Sequence, residues 1–78
     1  MKIKSNQLEI WFAEFLYRGG HDPDKMDPVQ FKEMKLAFFS GAAHMFKFFH
    51  VISEMSEKES FLSFDAIQNE LTNYYNSI

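Results

Sequence analysis

The sequence predicts an all-α fold: a three-helix unit with a long central helix, assembled with further copies as a homo-oligomeric helical bundle. Three observations lead there. Apolar residues recur at alternating spacings of three and four, the mark of one helical face. Capping residues stand just ahead of each apolar run. No stretch worth defending alternates apolar and polar with the period of two that a half-buried strand requires.

The first helix is expected to begin at Ser5 or Asn6, with Glu9 three residues after Asn6 to complete a capping box. Leu8, Trp11, Phe12, Phe15 and Leu16 then share one face. Gly19-Gly20 should end it, because glycine takes left-handed backbone angles at little steric cost.

Gly19 to Asp27, rich in Gly, Asp and Pro, is the one clear loop. Asp27-Pro28 reads as an N-cap followed by proline at the first helical position, with Gln30 as capping partner. From Phe31 the seam Phe31, Met34, Phe38, Gly41, Met45, Phe48, Ile52, Met55 keeps a heptad-like spacing. Phe39, Ala42, Phe46 and Phe49 flank it, widening the apolar arc to about 180°, against about 100° for an ordinary surface helix. One neighbour cannot cover such an arc, so the spacing predicts a homo-oligomer. No Gly-Pro break precedes Ser53, so this helix should exceed twenty residues.

Ser56 and Glu59 stand at capping-box spacing after the polar connection that begins at Ser53. A third helix should follow, carrying Phe64, Ile67, Leu71, Tyr74 and Ile78, with Phe61 and Tyr75 beside them.

Seventy-eight residues leave room for a single helical domain, residues 1–78. Cysteine is absent, which excludes disulfide staples and thiolate zinc sites and leaves packing to stabilise so short a chain. Ten Phe, three Tyr, one Trp and five Met supply that packing, and more than one small subunit easily hides. A net charge of -3 argues against nucleic acid as a partner. Charge is uneven: Lys32, Lys35 and Lys47 against Glu33 give residues 28–53 a balance of +2, whereas Lys58 against Glu54, Glu57, Glu59, Asp65 and Glu70 gives residues 54–78 a balance of -4. Antiparallel or intersubunit contact between the two oppositely charged segments is weakly favoured. The basic start lacks the apolar stretch of a secretory signal, and Ala42 to Ile52, broken by His44, Lys47 and His50, is too short for a bilayer. No membrane association and a cytoplasmic location are expected.

Candidate chemistry is sparse. Asp22, Asp24 and Glu33 coincide with three EF-hand ligand positions, but Met26 occupies another and Asp27 stands where the loop needs glycine, so no metal is expected. His44 and His50, six apart, point about 120° from each other and read as polar-face or interface histidines. No nucleophile elbow and no phosphate loop is present, so neither catalytic residues nor a cofactor is expected. Lys35 falls inside the apolar arc beside Phe39 and Ala42, where it must snorkel, pair with an acid or meet an anion. Ala37 and Gly41, with Gln30 and His44, line one edge of the helix; small residues there admit another backbone or leave a shallow recess for a ligand.

Pro28, Gln30, Glu33, Met34, Lys35, Ala37, Phe38, Phe39, Gly41 and Ala42 form the string P-x-Q-x-x-E-M-K-x-A-F-F-x-G-A. It resembles the central motif of a family of small uncharacterised bacteriophage proteins, often with arginine and tyrosine at the Lys35 and Phe39 positions. The resemblance extends loosely over most of the chain, including the aromatic first helix and Glu70-Leu71. It implies a non-enzymatic accessory protein in the host cytosol that counteracts host defence by stoichiometric binding. By analogy with helical phage proteins that sequester cyclic nucleotides at subunit interfaces, the expected ligand is an anionic nucleotide signal. Gln30, Lys35, Gly41 and His44 would edge its recess, Lys35 meeting phosphate and Phe39 stacking on a base. The alternative is a helical protein-protein interaction module that inhibits or scaffolds a host or phage protein through aromatics of the first and third helices.

Overall fold

The computed structural model describes residues 2–78 and contains three α-helices among them: α1 (Gln7–Arg18), α2 (Pro28–Ile52) and α3 (Glu57–Asn76). The chain divides into two compact units, Met1–Ala43 and His44–Ile78, and the division falls within α2.

In the first unit the entry into α1 departs from the expected capping box. Asn6 is the N-cap residue but its backbone (φ -112, ψ 33) lies outside the extended region that aims a cap side chain at the helix, and it makes no cap hydrogen bond. The Gln7 side chain instead accepts from the Lys4 amide at 3.2 Å, and Glu9 is engaged elsewhere by Lys35. The exit follows expectation. Gly20 takes φ 76, the Gly20 amide donates to the Tyr17 carbonyl at 3.1 Å, and the His21 amide donates to the Leu16 carbonyl at 2.9 Å. These are the two bonds of a Schellman motif, which satisfy carbonyls the helix leaves open.

The loop is held by Asp22, whose side chain accepts from the Asp24 amide at 3.0 Å and whose carbonyl accepts from the Lys25 amide at 2.9 Å. Asp27 then caps α2: its carboxylate accepts from the Val29 amide at 2.8 Å, and its carbonyl takes the first helical bond from Phe31 at 2.9 Å. Pro28, with no amide to satisfy, fills the first position.

Phe12 organises the packing of this unit. It is 3% exposed and its ring lies 5.6 Å from that of Phe31, 5.4 Å from Phe38 and 6.5 Å from Phe39, while Phe15 approaches Phe38 at 5.5 Å. Centroid spacings of this size, mostly tilted or edge-on, suit the ring quadrupoles. Leu16, one turn further along α1, is buried as well.

The second unit is a helical hairpin. Without a glycine to stop it, α2 ends in a polar turn where Ser53 Oγ donates to the His50 carbonyl at 2.6 Å and the Glu54 and Met55 amides bond back to Val51 and Ile52. Ser56, with extended backbone, caps α3 by accepting from the Glu59 amide at 3.2 Å, and its hydroxyl donates to the Glu59 carboxylate at 3.0 Å. Ser60 Oγ reaches the Ile52 carbonyl at 3.0 Å, and the Phe49 and Phe64 rings meet at 5.6 Å. Ile52 is the buried residue here, and no residue of α3 is fully buried.

None of these helices is long and apolar enough to cross a membrane.

Candidate functional site

Lys35 lies on α2 one turn before Phe39, so their side chains share a face. The Lys35 ammonium meets the Glu9 carboxylate of α1 at 2.9 Å and stands 5.8 Å from the centre of the Phe39 ring. Of the three fates the sequence allows this lysine, the structure selects pairing with an acid, supported by a cation-π approach. Both partners remain partly open to solvent, with side-chain exposures of 37% and 52%. Such a pair holds geometry more than it holds stability.

Around Lys35 lies an open hollow of about 340 Å³, lined by Phe31, Lys32, Lys35, Leu36 and Phe39. A second, of about 330 Å³, includes Ile3, Leu8, Glu9 and Phe39 in its lining. Phe39 is common to both, and the Lys35–Glu9 pair joins the lysine of one rim to the carboxylate of the other. Both hollows are mostly apolar floors with charge at the edge.

Of the five ligand residues expected from sequence, the structure brings Lys35 and Phe39 together. Gln30 and Gly41 are exposed and line neither hollow. Helix geometry explains the separation, since Gln30 is five residues and Gly41 six residues from Lys35, each more than about 100° around the axis. His44 is exposed and belongs to the second unit. A Cβ built on Gly41 would meet nothing within 4 Å, so among the described residues no backbone uses the approach this glycine offers.

Glu9, which the sequence spacing assigns to helix capping, is the acid that meets Lys35. Its signal was the lysine itself, an apolar-face cation in need of an acid. Lys32 and Leu36, one turn apart on the rim, were not singled out either. Among the described residues no group of three or more His, Cys, Asp or Glu could hold a metal ion. Asp22, the first residue of the apparent EF-hand pattern, is spent on its own turn.

Comparison with family models, with curated proteins and with solved structures returns no match.

Proposed function

We propose that this chain is a non-enzymatic accessory protein that acts by stoichiometric binding as a homo-oligomer, and that its target is a protein held against aromatic side chains of its helices. The observation that carries this reading is the mismatch between what the chain buries and what it displays. Phe12, Leu16 and Ile52 are buried, whereas Tyr17 is 83% exposed, Phe46 76% and Phe61 69%. Large aromatic side chains left open at this density are the usual raw material of interfaces. The likeness of the Pro28 to Ala42 string to small phage proteins supplies the setting, the host cytosol, and the purpose, counteracting host defence. Affinity capture from bacterial cells expressing the wild-type chain or the Phe46→Ser/Phe61→Ser variant tests it. One protein recovered in fixed stoichiometry by the wild type and lost by the variant is expected; equal recovery by both contradicts it.

A second reading, sequestration of an anionic nucleotide, has its own support in the hollow where Lys32 and Lys35 edge an aromatic floor. Phosphate at Lys35 would compete with, and be repelled by, the Glu9 carboxylate already on the ammonium, a cost that ranks this reading second. Thermal shift with cyclic nucleotides tests it. Stabilisation of about 2.7 kcal/mol at a hundredfold excess over the dissociation constant, lost in Lys35→Ala and raised in Glu9→Gln, is the expected pattern. No shift with any nucleotide removes it.

A further inference from the structure

The hollow beside Lys35 is built from one helix. Its lining residues, Phe31, Lys32, Lys35, Leu36 and Phe39, all belong to α2, so it is a groove on that helix rather than a chamber between elements. Phe31, Lys35 and Phe39 stand four residues apart and form one ridge; Lys32 and Leu36 form the next. A depression of about 340 Å³ between two such ridges has the form that takes a ridge of another helix bearing one large apolar side chain.

Such a ridge exists on α3. Glu57, Phe61 and Asp65, again four apart, fall within about 80° of one another around that helix. Phe61 is thereby flanked by a carboxylate one turn away on either side. The hairpin is held through the neighbouring face, by Ser60, Ser63 and Phe64, so its own unit leaves this ridge unused. Within one chain Leu36 is 67% exposed and Phe61 69%.

Charge matches the two surfaces. On α3 four acids stand against Lys58 alone, whereas the groove carries Lys32 and Lys35 and no acid. Glu9 already meets Lys35, but among the described residues neither Lys32 nor Asp65 is in an ion pair. Every copy of the chain carries both the basic groove and the acidic ridge.

We propose that the groove between Lys32 and Lys35 receives the Glu57, Phe61, Asp65 ridge of a second copy of this chain, Phe61 entering over Phe31 and Phe39 and its flanking carboxylates meeting the lysines. This deepens the assembly reading above and rests on it. Charge reversal in the full chain tests it by sedimentation equilibrium. Lys32→Glu and Asp65→Lys, both at exposed positions, should each weaken self-association about tenfold. Their equimolar mixture should recover wild-type affinity, because the reversed groove of one variant accepts the reversed ridge of the other. Phe61→Ala, with helicity checked by circular dichroism, should weaken association by more than about tenfold. Association unchanged in Lys32→Glu or in Phe61→Ala, or a mixture no tighter than its components, overturns this contact and leaves assembly standing. A wild-type chain that stays monomeric throughout overturns both.

Discussion

Glu9 of α1 and Lys35 of α2 close a 2.9 Å ion pair at the edge of an aromatic cluster, with the ammonium 5.8 Å from the Phe39 ring. The pair occupies the one lysine that the helical pattern sets among apolar residues. Because both groups are partly solvated, Lys35→Ala should cost at most about 1 kcal/mol in urea unfolding, and less at high salt. A loss several times larger would mean that Lys35 supports more than this pair.

Phe12→Ala should cost about 3–5 kcal/mol, because Phe12 is 3% exposed and four phenyl rings surround it. In a chain this small, that is a large part of its total stability. Urea denaturation followed by helicity is the measurement. A cost below about 1 kcal/mol would mean that the first unit does not pack on this ring.

Two glycines should respond with opposite signs. Gly20→Ala places a Cβ at φ 76 and should destabilise by about 1 kcal/mol. Gly41→Ala lies inside α2 with nothing within 4 Å of the new Cβ, and should stabilise the isolated chain by about 0.5–1 kcal/mol. If another subunit approaches at Gly41, the same substitution weakens assembly while stabilising the monomer. Thermal melts at low and high protein concentration separate the two effects.

Ser56→Ala removes the hydroxyl that accepts the Glu59 amide and should cost about 1 kcal/mol, with Ser56→Asp restoring most of it. Ser56→Ala without effect would mean that the hairpin contacts at Ile52, Ser60 and Phe64 set the start of α3 alone.

What the sequence disclosed follows the range of each interaction. Gly20, Asp27 and Ser56 act on backbone groups within a few residues, so the end of α1, the start of α2 and the start of α3 were all legible. Asn6 misled because its capping partner Glu9 is drawn to a lysine on another helix. The special status of Lys35 was visible in its helical angle, but the acid that meets it was not, since nothing local ties α1 to α2. Grouping Gln30 and Gly41 with Lys35 overlooked rotation: residues five and six apart on a helix do not converge. Leu16 and Ile52 lie on apolar faces, yet that they are buried while Phe46 and Phe61 stay exposed depends on which stretches of each helix find a neighbour.

Assembly is the claim on which the functional reading turns, since it supplies the cover that Phe46, Leu71 and Tyr74 lack within one chain. Size-exclusion chromatography with light scattering across the micromolar range tests it directly. Masses at a multiple of 9.3 kDa are predicted, falling toward one subunit on dilution. A single 9.3 kDa species at every concentration would contradict it.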